Sequence, residues 1–298
     1  MIEDVIVITG PTAVGKSDLA VELAKELDAE IISADSMQIY KELNIGSGKI
    51  TEEEKQNVPH HLLDILSFKE QYSVAEFCED CKKKIKEIRS RGKNVVIVGG
   101  TGLYIKALVN NYDYSSVQKN EEFRTKLEAE AQEKGLSVLY SCLKELSPER
   151  AEKISQSDKK RIIRALEILS CEKKCVAKSV AEFSYKIFAL NLERDVLYSK
   201  INARVDKMFE HGLLDEIETL KNDGMTENDQ SAKGIGYTEL LKYFGGDYSL
   251  SEAKEKIKQH SRNYAKRQLT LLRGMDVLWV NASDKNAAKS YILEKIYE

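Results

Sequence analysis

The amino-acid sequence predicts an α/β protein, a parallel sheet core with helices on its faces and an inserted helical domain. Three observations carry this. Short β-branched runs alternate with amphipathic stretches in the N-terminal part of the chain. From about Glu121 to Cys175 only helical periodicity is present. Strand character then returns at Lys186–Leu192. The core is accordingly assigned to residues 1–114 and 184–298, and the insertion to 115–183.

Each element follows from its pattern. Val5–Thr9 is an apolar run closed by Gly10, a buried strand. Ser17–Leu27 places Leu19, Ala20, Leu23, Ala24 and Leu27 on one helical face. Glu30–Ala34 reads as a second strand ending at Asp35, His61–Ile65 as a third, and Val95–Val98 as a fourth, closed by Gly99 and Gly100. Val74–Arg89 lies between the last two as a helix. In the insertion, Glu122–Lys134, Ser137–Leu146 and Asp158–Ser170 are helical, and Ser147-Pro148 is a helix start. After the returning strand come helices at Asp195–Asn222 and Glu252–Leu272, then a last strand at Val277–Val280.

The 298 residues include 42% apolar and 32% charged side chains, a globular composition without an apolar run long enough to span a bilayer. No export signal is visible at the N-terminus, so a cytoplasmic chain with reduced thiols is expected. Five cysteines include Cys78 and Cys81 at metal-ligand spacing and a looser pair, Cys171 and Cys175. Both pairs fall on helical segments, which favours packed thiols over a zinc site. Net charge is −3, yet residues 251–275 hold seven bases (Lys254, Lys256, Lys258, Arg262, Lys266, Arg267 and Arg273) against Glu252 and Glu255. A segregated patch of this kind suits phosphates, or is simply a solvated helix face.

Gly10, Pro11, Thr12, Ala13, Val14, Gly15, Lys16 and Ser17 fit G-x-x-x-x-G-K-[ST], with a strand leading in and a helix leading out. The core is therefore P-loop NTPase-like. Backbone N–H groups and the helix N-terminus cradle phosphate, Lys16 adds a charge, and Ser17 offers a hydroxyl to Mg²⁺. The usual Mg²⁺-holding acid at the end of a second strand is missing, because Val95–Val98 runs into Gly99-Gly100-Thr101-Gly102. Asp35 is the acid at a strand end close behind the P-loop. On position alone it can serve Mg²⁺, accept a proton, or cap the following segment.

The P-loop, Asp35-Ser36-Met37-Gln38-Ile39-Tyr40, Pro59-His60-His61-Leu62-Leu63-Asp64, Gly99–Tyr104, Arg161–Glu167, Gly234-Ile235-Gly236-Tyr237 and Lys266-Arg267-Gln268 together resemble the tRNA dimethylallyltransferases, in order and over nearly the whole chain. The resemblance implies transfer of a dimethylallyl group from dimethylallyl diphosphate to the N6 amine of the adenosine 3′ of the anticodon. It implies Mg²⁺ as cofactor, a flipped-out adenine, and a monomer that meets the tRNA anticodon stem-loop. It makes Asp35 the proton acceptor, Thr101 a residue near the acceptor base, and Arg204 the arginine of the leaving diphosphate. It further implies tRNA contacts from Asp35 to Gln38, from Lys160, Arg161 and Arg164, from Lys233 to Thr238 including Gly236, from Lys266, Arg267, Gln268 and Arg273, and from Arg124 in the insertion. Ile45-Gly46-Ser47-Gly48-Lys49 departs from the family's common Ile-Gly-Thr-Ala-Lys-Pro, and Leu271 stands where an aromatic residue is usual. His60 and His61 read as structural.

Three rivals share parts of this pattern. A small-molecule kinase would use the P-loop and Asp35 without the basic segment. A prenyltransferase of free adenine nucleotides would look alike in its core. A non-catalytic tRNA-binding module would not need Lys16, Ser17 and Asp35 intact.

Overall fold

The computed structural model describes residues 2–111, 120–170 and 182–298. The chain divides into two compact units, one from Met1–Asn110 with Ala181–Glu298, the other Asn111–Val180. The Cys171–Cys175 pair falls outside the described residues.

The first unit begins with β1 (Val5–Thr9), α1 (Lys16–Glu26), β2 (Ala29–Ser33), the short α2 (Glu52–Lys55), β3 (His60–His61), α3 (Val74–Ser90), β4 (Asn94–Val98) and α4 (Gly102–Val109). The second unit holds α5 (Glu121–Lys134), α6 (Leu136–Leu146), α7 (Pro148–Ala151) and α8 (Lys159–Ser170). The first unit resumes with β5 (Tyr185–Asn191), α9 (Arg194–Glu210), α10 (Leu213–Asn222), α11 (Tyr237–Phe244), α12 (Leu250–Leu272), β6 (Leu278–Asn281) and α13 (Lys285–Tyr297).

Among the described residues the strands form one sheet in the order β3-β2-β4-β1-β5-β6. Every pairing is parallel, with Ile6 opposite Val96 on one side of β1 and opposite Lys186 on the other. Burial on both faces explains the unbroken apolar runs of β1 and β4. The core gathers Ile6, Ile8, Leu19, Leu23, Ile31, Val96, Phe188 and Leu190, and α13 closes one side with Ala288, Ile292 and Ile296.

Two expectations need correction. The third strand is only His60–His61, because Leu62 and Asp64 adopt φ of 58° and 54° and turn the chain away. Asp195–Asn222 is not one helix. Gly212 at φ 95° separates α9 from α10, a conformation that glycine enters without steric cost.

In the second unit Leu139, Leu143, Ile162, Ile163 and Leu166 form a separate core. Glu167, fully buried, accepts from Arg124 Nη2 at 2.7 Å and from the Asn120 N–H at 2.7 Å, and pairs with Arg164. These partners hold its carboxyl down at about 2 against the penalty of burial.

Candidate active site

At the carboxyl ends of the strands a cavity of about 310 Å³ opens in the first unit, the edge where open α/β sheets bind ligands. β1 delivers the chain into the turn Gly10–Gly15. A Cβ at Gly10 would lie 2.6 Å from the Leu190 carbonyl oxygen, so only glycine fits there. Ala13 and Gly15 take φ of 64° and 96°, which curls the turn around the start of α1. Thr12, Lys16 and Ser17 face the cavity, while Val14 is buried in the core.

Lys16 Nζ donates to the Pro11 carbonyl at 2.7 Å. Burial, with the Arg204 charge second and Asp35 opposing, lowers its ammonium from the usual lysine range to about 7. Arg204, on α9, is likewise pushed down by burial and supported by Asp35. Its Nη2 reaches the Gly48 carbonyl at 3.5 Å. Asp35 follows β2. Its Oδ1 accepts the N–H groups of Met37 at 2.9 Å and Gln38 at 3.4 Å, so it does cap the next turn. Among the described residues no hydrogen bond engages Oδ2. Ser36, Met37 and Gln38 line the cavity beside it.

Thr101 does not line the cavity. Its Oγ1 accepts the Ser36 N–H at 3.0 Å and donates to Ser36 Oγ at 3.3 Å, fixing the Asp35 turn from behind. Gln268 is buried and bridges two loops: Oε1 accepts the Thr12 N–H at 2.9 Å, and Nε2 donates to the Gly100 carbonyl at 2.8 Å. A Cβ at Gly99 would sit 2.1 Å from the Ala34 carbonyl oxygen. Close approach of the β2 and β4 ends therefore leaves no room for an acid there.

The basic segment of α12 splits in two. Lys254 and Lys258 pair with Asp206, and Arg262 donates to Asn202 at 2.6 Å. These contacts bolt α12 to α9 on either side of Arg204. Lys266, Arg267 and Arg273 are exposed, and Arg267 reaches the cavity and lies over the Tyr264 ring. Lys233 is exposed at the cavity, where Gly236 is buried at φ 101°. In the second unit Lys160 and Arg161 are exposed on α8, while Arg124 and Arg164 engage Glu167.

Apolar side chains Ile201, Val205, Met208, Leu213 and Ile257 complete the cavity. Sequence reasoning missed Tyr264 and Glu216, and named Tyr237 only within the 233–238 stretch. Tyr264 and Tyr237 face the cavity, and burial raises the Tyr264 phenol to about 12. A tyrosine four residues before Gln268, on the same helical face, was the available signal.

The remaining motif residues are structural. His61 Nε2 meets Glu30 at 2.6 Å, and His60 Nδ1 meets the Val58 carbonyl at 2.8 Å. Cys78 and Cys81 are buried, with thiols pushed up by burial. Among the described residues no group of His, Cys, Asp and Glu could by itself hold a metal ion, and no helix is long and apolar enough to cross a membrane.

A parallel sheet whose first strand feeds this phosphate turn defines a P-loop α/β protein. The IPP transferase family model matches residues 38–275. A tRNA dimethylallyltransferase of Bacillus licheniformis is 48% identical over 282 residues, 92% of this chain and 90% of that protein. The solved tRNA isopentenylpyrophosphate transferase of Bacillus halodurans is 39% identical, with a TM-score of 0.75 over 99% of this chain and 97% of that one. A eukaryotic dimethylallyltransferase described as acting on tRNA superposes with a TM-score of 0.81 at 29% identity, over 98% of this chain and 78% of that one. The chain belongs to the IPP transferase family, and by that membership it is an enzyme, a transferase.

Proposed function

We propose that this enzyme transfers the dimethylallyl group of dimethylallyl diphosphate to the N6 amine of the adenosine next to the anticodon in tRNA, on its 3′ side. One observation carries the reading. A single cavity joins the P-loop, Asp35 and Arg204 to an apolar wall from α9, α10 and α12. A phosphoryl-transferring kinase has no use for that wall at the leaving group, whereas a prenyl chain needs it.

In the reaction the bond from the prenyl C1 to the diphosphate oxygen breaks and a C1–N6 bond forms. Diphosphate leaves with the electron pair, and the amine proton passes to Asp35. Oδ2 is the oxygen left for it. The P-loop N–H groups, Lys16 and Arg204 stabilise charge as it collects on the diphosphate. Thr101 positions Asp35 through Ser36, and Gln268 holds the P-loop against the Gly100 carbonyl. Mg²⁺ fits the donor set. The Ser17 hydroxyl faces the cavity with no hydrogen bond among the described residues, and Mg²⁺ takes few protein ligands beside phosphate and water. Bound there, it would neutralise diphosphate charge.

Lys233, Lys266, Arg267 and Arg273 meet tRNA phosphates, and Lys160 and Arg161 do so from the helical unit. Arg124 and Arg164 shape that unit through Glu167 and add charge to it. The enzyme acts as a monomer in the cytoplasm, where buried Cys78 and Cys81 stay reduced.

The test uses Mg²⁺, radiolabelled dimethylallyl diphosphate and unmodified tRNA, with AMP and ATP in parallel. Label in tRNA alone is expected. Label in AMP would move the acceptor to free nucleotides, and loss of the ATP γ-phosphate without prenyl transfer would replace the reading with a kinase.

A further inference from the structure

Glu216, on α10, carries an arrangement the catalytic account does not use. Its Oε2 accepts the N–H groups of Asn44 at 3.0 Å and Ile45 at 2.7 Å. Its Oε1 accepts the Gly46 N–H at 3.0 Å and the Tyr237 hydroxyl at 2.8 Å. Three successive backbone donors converge on one carboxylate, a concavity suited to an anion, and here the anion is the protein's own. Tyr237 is fully buried, and its phenol is pushed well up by burial, with the Glu216 charge next.

The loop so held is the one that meets Arg204. A Cβ at Gly46 would lie 2.6 Å from the Tyr237 ring, and a Cβ at Gly48 would lie 1.7 Å from Arg204 Nη2. The loop is therefore wedged between phenol and guanidinium: Gly46 must be glycine against the buried Tyr237 ring, while at Gly48 the mobile end of Arg204 lies against the chain. The Gln38 amide ties the same segment to the Asp35 turn by donating to the Gly48 carbonyl at 3.2 Å.

We infer that Glu216 and Tyr237 are positioning residues for the reaction: they set the loop of residues 44–48 against Arg204 and so aim its guanidinium at the diphosphate. The inference rests on reading the cavity as the diphosphate site. Neither residue touches the reacting atoms. Their effect passes through three backbone N–H groups and the close fit of Gly46 on the Tyr237 ring.

The experiment compares wild type with Glu216→Gln and Tyr237→Phe. It reads the Kd of inorganic diphosphate with Mg²⁺, KM and kcat for dimethylallyl diphosphate, the Kd of tRNA, and Tm. A glutamine amide turns an NH2 group toward backbone donors, so Glu216→Gln is expected to raise the diphosphate Kd and the KM together by roughly tenfold. Its tRNA Kd should stay within about twofold. Tyr237→Phe removes one of four hydrogen bonds and should shift the same two constants in the same direction by less. Folded variants with an unchanged diphosphate Kd, or a loss confined to kcat at constant KM, overturn the inference, because a reduced fraction of intact enzyme gives that pattern. If Glu216→Gln does not fold, Tyr237→Phe decides alone: a raised diphosphate Kd upholds the inference and an unchanged one overturns it. A wild-type protein that binds no diphosphate would overturn the underlying reading, and the strut with it.

Discussion

The side-chain oxygen of Gln268 accepts the backbone N–H of Thr12 at 2.9 Å, joining the last third of α12 to the phosphate turn. Replacing Gln268 by Ala strands that N–H and leaves the Gly100 carbonyl with the Tyr264 hydroxyl at 3.4 Å. The orphaned N–H costs about 1–3 kcal/mol. Denaturant unfolding should register the loss, and the KM for dimethylallyl diphosphate should rise. Unchanged stability and KM would show that water replaces the amide at no cost.

Asp35→Asn separates two roles that Asp35→Ala confounds. The amide oxygen can still accept from Met37 and Gln38, so the turn persists. Prenyl transfer should fall on the order of 10²–10⁴-fold, the usual worth of a general base. Filter binding should find tRNA affinity retained. A variant with near-native turnover would remove Asp35 from proton transfer.

Lys16 gives a pH signature. Its folded-state value of about 7 lies below the usual 10.5. The unfolded chain therefore binds more protons between those limits, and the contribution of Lys16 to stability rises with pH across that window. Lys16→Met should raise the Tm of the ligand-free protein at neutral pH while abolishing transfer. Diphosphate favours the ammonium, so its binding at pH 8 should take up protons, and less so at pH 6. Calorimetry in buffers of different ionisation enthalpy measures the uptake, with Lys16→Met as the subtraction. Equal uptake in both proteins would show that Lys16 stays charged throughout.

Glu167 sets the acid limit of the helical unit. Its carboxyl stands at about 2, against 4.5 in the unfolded chain. The stabilisation is complete above about 4.5 and is lost as pH falls toward 2. Glu167→Ala leaves Arg124 and Arg164 without this partner, and because both guanidiniums are partly exposed the loss falls below the cost of about 3–5 kcal/mol for a fully buried pair. Hydrogen exchange should accelerate in α5 and α8 first. Uniform exchange across both units would refute a local role.

The exposed cations of α12 should act additively on tRNA. Alanine at Lys266, Arg267 or Arg273 should each lower affinity and flatten the salt dependence by about one contact. Lys254→Ala and Lys258→Ala should leave that slope alone, because Asp206 already engages both. A flatter slope from Lys258→Ala would extend the RNA surface toward the start of α12.

Contiguous features were legible in the sequence and scattered ones were not. The phosphate turn is a run of eight residues with a strand before and a helix after, so pattern alone located it. Asp35 was legible as a strand-end acid able to cap the next turn, which it does through Met37 and Gln38, but its support from Thr101 acts through Ser36 across 65 positions and was not. Glu216 gave little signal. It sits between buried Leu213 and Ile217 on an amphipathic helix and resembles any surface glutamate until the 44–48 loop is laid against it. The basic segment was legible as charge, but its division was not, because Asp206 and Asn202 lie on another helix. Gly212 was overlooked as a break because periodicity continues on both sides of it.

The position of β1 between β4 and β5 has a consequence for synthesis. Translation completes β3, β2, β4 and β1 before the helical unit is made, and β5 comes only after it. For the interval needed to translate that unit, on the order of seconds, the strand that carries the phosphate turn is a bare apolar edge at the ribosome exit. Such an edge is a template for wrong pairing. Slowing elongation inside the helical unit should therefore lower the yield of folded enzyme, whereas slowing it after β6 should not.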